Sequence, residues 1–340
     1  MKTAVVILNW NGADFLKQFL PTLIKFTQNA DTEIIVADNG STDNSLSVLA
    51  DDFSEVKTIV LDKNYGYAGG YNLALQQIDA EYFVLLNSDI EVTENWLNPL
   101  IDYLDSNPDT AACQPKIRSF VNRDKFEHAG AAGGFIDNFG YPFCRGRVFG
   151  FTETDNGQYD DVCEVFWATG ACLVIRSEIF RKMGGFDADF FAHMEEIDLC
   201  WRLKCRGYKI VCIPESVIFH VGGGTLKMDS PYKTYLNFRN NNLMLYKNLS
   251  QKDFKKVISI RRLLDYLAAV QFFISGQMKN ARSVVKARKD FKKMLPQFTE
   301  KRNENLLYAT TVPADSTVLN KSMIWNYYFR KKKTYSELMQ

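Results

Sequence analysis

No stretch of this 340-residue chain runs for more than 15 residues without Asp, Glu, Lys or Arg. That longest run, residues 64–78, is filled with Gly, Asn and Gln, whereas a bilayer-spanning helix needs about 20 largely apolar residues. The apolar stretch at residues 3–8 follows a single Lys and is too short for the core of a secretory signal. The seven cysteines include no CxxC pair, and their odd number without such a signal leads us to expect reduced thiols in the cytosol. A GxGxxG fingerprint is also missing, because Ala68 occupies the second Gly position after Gly66, and no P-loop occurs. A dinucleotide dehydrogenase is therefore disfavoured. There is no internal repeat and no low-complexity segment.

What is present is an ordinary globular composition, 46% hydrophobic and 24% charged, with a length that suits two domains of roughly 150 residues. The net charge of +1 conceals an asymmetry. Residues 1–250 carry 22 Lys/Arg against 33 Asp/Glu, and residues 251–340 carry 19 against 7. Two functionally different pieces are expected.

The first hundred residues alternate strand and helix signals. Strands are expected at 3–8, 33–37, 56–61 and 82–86. Helices are expected around Phe15–Ile24 positions 15–24, interrupted by Pro21, and at 44–49, 71–78 and 94–104. Continuous apolar strands between helices predict a parallel, doubly wound α/β sheet. From about residue 111 the pattern turns irregular and Gly-rich. An apolar strand is then expected at 166–176, a two-glycine turn at 183–187 and a helix at 195–205 stopped by Gly207. Short strands at 209–213 and 217–220 lead into Gly222-Gly223-Gly224, and beyond residue 235 only helical patterns remain.

In such sheets ligands sit beyond the carboxyl ends of the strands. The residues there are Asn9 and Asn11, Asp38, the loop beginning Lys63-Asn64, and Asn87-Ser88-Asp89. In Asp38-Asn39-Gly40-Ser41-Thr42-Asp43 the first carboxylate can accept from a ribose hydroxyl or a base N–H, and the later residues can cap the next helix. A plain turn with a helix cap explains the segment equally well. Asp89 stands where a hard divalent cation could be held together with phosphate oxygens, although a lone Asp after a strand is also a common N-cap. The Gly-rich loop through Gly70 and Asn72 would let backbone approach a phosphate. His220, between a short strand and three glycines, could complete a cation site or simply be structural. Glu195, Glu196 and Asp198 fall in one first helical turn. Dipole complementation and an Asp198–Arg202 pair explain Asp198 but not two adjacent glutamates, which suit a shielded general base.

Taken together, VVILNWNG, DNGSTD, the loop ending Gly70-Tyr71-Asn72, LLNSDIE, Thr169-Gly170-Ala171, GGFD, EEIDLCWR and HVGGGT resemble glycosyltransferase family 2 in its rhamnosyltransferase-like bacterial branch. The motifs run in the family's order across roughly residues 3–240. The resemblance implies a GT-A-like mixed sheet whose nucleotide-sugar-binding half is 1–110 and whose acceptor-binding, catalytic half is 111–240. A basic helical extension at 241–340 would follow. It implies an inverting transferase in cell-surface polysaccharide synthesis, moving a sugar from an NDP-sugar to a lipid-linked or oligosaccharide acceptor. Asn9, Asn11, Asp38, Asn64, Gly70, Asn72, Asn87 and Ser88 would bind the donor, and Asp89 with His220 would hold Mg²⁺ or Mn²⁺. Gly170 and Asp187 would lie on the acceptor side. Glu196 would be the base, with Glu195 as the alternative. Asn87 stands where the family often has the first Asp of its metal motif, and Glu196 where Asp is commoner.

Within the extension, residues 263–275 form a 13-residue apolar segment flanked by cations, suited to the interface of an anionic membrane. A peripheral position on the inner face of the cytoplasmic membrane follows. The competing expectation is a helix packed on the catalytic part with a solvated basic face. Nucleic acid is disfavoured by the acidic catalytic half. Two other functions compete: a nucleotidyltransferase, for which Asn9–Gly12 positions 9–12 offer no cation, and a non-catalytic sugar-nucleotide-binding homologue, which has no need of both Glu195 and Glu196. A processive synthase is disfavoured because QxxRW and spanning helices are missing.

Overall fold

The computed structural model describes residues 1–28, 30–222 and 230–340. Gly223, Gly224 and Thr225 of the expected HVGGGT motif lie outside the described residues. The amino-terminal strands are β1 (Thr3–Asn9), β2 (Thr32–Asp38), β3 (Lys57–Val60), β4 (Tyr82–Leu86) and β5 (Ile90–Val92). Between them run α1 (Ala13–Phe26), α2 (Ser45–Asp52) and α3 (Gly66–Leu75), and α4 (Asn98–Ser106) follows. β6 (Thr110–Ser119) precedes four short strands, β7 (Gly134–Asp137), β8 (Pro142–Cys144), β9 (Arg147–Val148) and β10 (Phe151–Thr152). Then come β11 (Cys163–Glu164), β12 (Cys172–Arg176), α5 (Ser177–Lys182), α6 (Glu195–Cys205) and β13 (Lys209–His220). The extension comprises α7 (Pro231–Asn248), α8 (Gln251–Ile274), α9 (Met278–Leu307), β14 (Val318–Leu319), α10 (Met323–Tyr328) and α11 (Tyr335–Met339).

The main sheet has the order β11-β13-β6-β12-β4-β1-β2-β3, with β5 added against β13. β1 lies between β2 and β4, parallel to both, and β12 runs antiparallel to β4 and β6. The strands read as continuous apolar runs because both faces are covered. Ala4, Val6, Ile35, Ala37, Phe83 and Leu85 enter one core, while Val5, Ile7, Val36, Val84 and Leu86 enter the other. Register sets the working edge: Asn9 pairs with Asp38 and Ile7 with Leu86, so the segments after three strands emerge side by side.

Several expectations are corrected. The strand expected at 166–176 starts only at Cys172, and the two strands expected at 209–220 are one strand with a register shift between Ile213 and Val217, around Pro214. Ten residues of the region read as irregular form β6. The extension is not purely helical, since β14 pairs with β7 and joins it to the second, five-stranded sheet. Nor is its positive charge all solvated. Arg261, Arg288 and Arg302 are buried, and Asp265, fully buried, receives Arg288 at 3.0 Å and Arg261 at 3.4 Å. No helix among the described residues is long and apolar enough to cross a membrane.

Candidate active site

The donor edge is a closed hydrogen-bond network. Asp38 is fully buried, accepting from Asn9 Nδ2 at 3.1 Å and from the Ser41 amide at 2.8 Å. Asn11, held at φ +52°, accepts from the Thr42 amide at 2.7 Å. Asp43 accepts from the first amides of two helices, Ala13 at 3.1 Å and Ser45 at 3.0 Å, satisfying donors that a helix start otherwise leaves orphaned. Asn39, which sequence reasoning missed, ties this motif to the next loop: it accepts from the Tyr65 amide and donates to Asn64 Oδ1 and Gly66 O. Asn64 also accepts from the Gly66 amide at 2.7 Å. Within this network the buried Asn9 Oδ1 has no protein partner.

The Gly-rich loop behaves differently from expectation. α3 begins at Gly66 rather than near residue 71, and Gly70 lies inside it. A Cβ on Gly70 would sit 2.9 Å from Leu8 and Asn39, and one on Gly66 (φ +72°) 2.4 Å from Phe191 O. The close backbone approach these glycines permit is to the sheet and to the turn before α6. Asn72 likewise braces protein, donating to Phe186 O at 2.8 Å and accepting from its amide at 3.0 Å.

Beyond β4, Asp89 and His220 meet. Pairing of β5 with β13 sets Ile90 opposite His220 and leaves Asp89 Oδ1 3.1 Å from His220 Nε2. On the other side of the ring Nδ1 lies 3.0 Å from Glu127, a residue sequence reasoning did not single out. All three are buried. Burial opposes the charged imidazole, yet the two carboxylates outweigh it and raise His220 to about 10. Burial likewise works against the Asp89 carboxylate, but the His220 contact holds it below its ordinary value. As it stands this is an ion pair with the proton on the imidazole, and a divalent cation would have to displace that proton before Asp89 and His220 could hold it. An oxygen and a nitrogen about 3 Å apart match adjacent ligands with bonds of about 2.1 Å, and Glu127 would orient the imidazole from its far nitrogen. Asn87 Nδ2 is 3.5 Å from His220 Nε2, and Ser88 lies beside Gly12. No cluster of three metal-ligating side chains occurs among the described residues. The remaining positions would fall to donor phosphates and water.

Asn87 N donates to Ala171 O at 3.0 Å, which brings the 169–171 segment beside this pair. Gly170 O in turn accepts from Tyr67 at 2.6 Å, and a Cβ there would strike the same hydroxyl. Tyr67 is raised well above the usual phenol range, by burial first and then by charges that include Glu195 and Glu196. Through Tyr67 the cation pair and the glutamate pair share one wall.

The glutamates follow a turn of unusual backbone. Phe191, His193 and Met194 have φ of +67°, +70° and +74°, each a conformation costing a non-glycine residue about 1–3 kcal/mol. Asn240 on α7 holds this turn: its fully buried Nδ2 donates to Phe190 O, Ala192 O and His193 O at 2.9, 2.9 and 2.8 Å. Arg239 adds bonds to Asp189 O and Phe190 O, both at 3.0 Å. Glu195 is 3% exposed and Glu196 partly buried, and Oε2 of each lacks a protein partner. Burial, then the charge of Glu196, pushes Glu195 well above the carboxylate range, and burial raises Glu196 to about 7. The neighbouring His193 is lowered to about 4 by burial and then by Lys233.

Asp187, expected on the acceptor side, instead anchors the extension. It is buried and contacts Lys247 at 2.7 Å and Lys301 at 2.5 Å. Burial would raise its pKa, but these two cations bring it to about 2. Lys247 also meets Asp198 at 2.8 Å, alongside the expected Arg202 pair at 3.0 Å.

Residues 4–184 match Glycosyl transferase family 2. The chain is 25% identical over 238 residues to the O-antigen biosynthesis protein RfbC of Myxococcus xanthus, across 67% of this chain and 18% of that protein. It is 26% identical over 231 residues to the N-acetylglucosaminyl-diphospho-decaprenol L-rhamnosyltransferase of Mycobacterium tuberculosis, across 64% of this chain and 75% of the relative. The crystal structure of GalNAc-T7 with UDP, GalNAc and Mn2+ shares the fold, with a TM-score of 0.58 at 17% identity over 92% of this chain and 58% of that one. With more than half of its length matched and the GT-A sheet in place, the chain belongs to glycosyl transferase family 2.

Proposed function

We propose that this glycosyltransferase is an inverting enzyme that moves a sugar from a nucleoside-diphosphate donor to a lipid-linked saccharide acceptor in cell-surface polysaccharide synthesis. The observation that carries the reading is the Glu195–Glu196 pair, two carboxylates shielded from water, each with an oxygen that no protein group satisfies. Glu196, raised to about 7, is our choice of base because it is poised to exchange a proton near neutrality. Burial and the charge of Glu196 raise Glu195 as well, so the two neighbours disfavour ionising together.

In the proposed reaction the acceptor hydroxyl gives its proton to Glu196 as its oxygen bonds to the anomeric carbon. The bond from that carbon to the diphosphate oxygen breaks on the opposite face, and configuration inverts. Asn9, Asp38 and the 87–88 segment would line the donor's nucleoside and phosphate end. Asp89 and His220 would hold a divalent cation, which when bound supplies positive charge against the leaving diphosphate. Manganese in the related GalNAc-T7 structure supports that assignment. The decaprenol-linked substrate in the mycobacterial relative's name supports the acceptor class. The basic extension would then sit at the cytoplasmic face of the membrane that carries such an acceptor.

The test is a panel of NDP-sugars with Mn²⁺, read first as donor hydrolysis and then as transfer to a polyprenyl-diphosphate saccharide. Expected is hydrolysis of one donor class, cation dependence and a product of inverted anomeric configuration by NMR. Retained configuration, or no donor turned over by a folded protein, would overturn the reading.

A further inference from the structure

α8 and α9 form a helical hairpin joined through residues 275–277. Its inner side is polar: Asp265 pairs with Arg261 and Arg288, and these residues bond to Asn241 and Asn242 of α7. Its outer side carries two stripes. On α8, Leu263, Tyr266, Leu267, Val270, Phe273 and Ile274 recur at helical spacing and are all exposed, Ile274 to 78%. Burial of the opposite face does not require any of them. On α9, Arg282, Lys286, Lys289 and Lys293 recur at i, i+4, i+7 and i+11 and are also exposed. Residues of both stripes line one open groove of about 700 Å³, with apolar Ala269, Val270 and Phe273 on one side and the four cations on the other. Only one acid, Asp290, lines it, and that residue is already taken by Lys286 and Tyr235.

A second feature extends this surface. Tyr328 lies within electrostatic reach of the Gln271 amide, which puts the α10 segment beside the end of α8. There Trp325 and Phe329 stack at 4.3 Å, both more than half exposed, and the Arg330-Lys331-Lys332-Lys333 run follows. Aromatic rings backed by cations are the composition that settles at the headgroup level of a bilayer.

We infer that the outer face of the α8–α9 hairpin, with the Trp325–Phe329 corner, docks on an anionic lipid bilayer. The apolar stripe enters the acyl boundary and the cation stripe lies over phosphate headgroups. Charge complementarity selects this occupant: a protein partner or second copy would bring its own surface onto an aligned cation row in which Asp290 matches Lys286 alone, whereas anionic headgroups neutralise Arg282, Lys289 and Lys293 as well. The inference rests on the membrane-borne acceptor proposed above, and it adds which surface meets the membrane. It also joins that surface to the chemistry, because Lys286 lies over the Tyr235 ring, Tyr235 stacks on Tyr232, and Tyr232 meets Phe191 in the turn before Glu195.

The full chain is sedimented with phosphatidylcholine vesicles and with vesicles in which a third of that lipid is phosphatidylglycerol. Expected is binding to the second kind only, released by salt, with Trp325 fluorescence quenched by brominated acyl chains. Combined Arg282→Glu, Lys289→Glu and Lys293→Glu should weaken it by about 100-fold or more, at roughly fivefold per lost cation. Combined Leu267→Asp and Ile274→Asp should abolish the quenching. Both variants should keep the wild-type Tm and donor hydrolysis, since every altered residue is exposed. Equal vesicle binding by wild type and both variants overturns the inference. So does a dimer in solution that Leu267→Asp and Ile274→Asp dissociate while vesicles are ignored. Failure of the activity reading appears separately, as lost donor hydrolysis in a protein that still binds vesicles.

Discussion

The donor edge and the turn that carries the glutamates stand side by side on one fold, yet they are built in opposite ways. At the donor edge Asp38, Asn39, Asn64 and Asp43 saturate one another and nearby amides, and nearly every polar atom there has a partner within the protein. At the glutamate turn three non-glycine residues are held at positive φ, and two carboxylate oxygens are buried without partners. The first arrangement fixes a shape that a donor can meet with little reorganisation. The second stores unfavourable free energy where, in the proposed reaction, a proton changes hands, and a neighbouring helix supplies the bonds that keep it in place. Rigidity on one side and tension on the other would suit the displacement proposed above.

The most damaging way to probe the contrast is at the tense side. Glu196→Gln is expected to lower kcat by about 10²–10⁴-fold while leaving donor affinity nearly unchanged, because the amide keeps the shape but takes up no proton. Glu195→Gln should be milder, since Glu195 is not the carboxylate proposed to take up the acceptor proton. Single-turnover assays with donor titration read both. Normal turnover in both variants would remove this helix from the chemistry.

Next is the brace. Asn240→Ala leaves three turn carbonyls without their donor, each costing about 1–3 kcal/mol if no water replaces it. A drop in kcat of about 10–100-fold is expected, with an unchanged donor KM and an acid limb of the pH–rate profile displaced from wild type, because the burial of Glu196 depends on the turn. A variant that only lost stability would show a lower Tm and an unmoved pH profile.

The pH profile of the wild type is a gentler probe. With Glu196 near 7, kcat should fall about tenfold per unit below that point as the base becomes protonated. Stability should show the reverse dependence. A carboxyl whose folded pKa exceeds its unfolded value is favourable when protonated, so its contribution is fullest below about 4.5 and is lost as pH rises towards 7. Chemical denaturation of wild type and Glu196→Gln at pH 5 and 8 would measure the difference.

The saturated side should respond least in rate. Asp38→Ala strips acceptors from Asn9 and the Ser41 amide, so we expect about 2 kcal/mol of lost stability and weaker donor binding, with kcat at saturating donor changed by less than tenfold. Calorimetric donor titration separates the two effects. A kcat loss equal to that of Glu196→Gln would erase the distinction between the two sides.

Much of this was legible beforehand because strand ends and turns are local. Continuous apolar runs placed β1, β2 and β4, with polar residues directly after them. Asp198–Arg202 followed from helical spacing alone. Other features were not legible because the partners are remote in sequence. Nothing local announced that Asp187 has Lys247 and Lys301, 60 and 114 positions away, as its counterions. The glycines at 66 and 70 suggested a phosphate cradle because a missing Cβ signals close approach but not what approaches. Glu127 carried no signal at all, since a lone carboxylate in an irregular stretch acquires meaning only when β13 brings His220 beside it.

The sequence by itself determined the alternation of elements, the family motifs and the charge division between residues 1–250 and the extension, because these depend on neighbours within a turn of helix or a strand pair. Only the tertiary structure decided which charges are internal and which face outward, and how the strained turn is held. Those outcomes depend on desolvation and on side-chain amides reaching across about 50 residues, as Asn240 does to Phe190, and no local pattern encodes them.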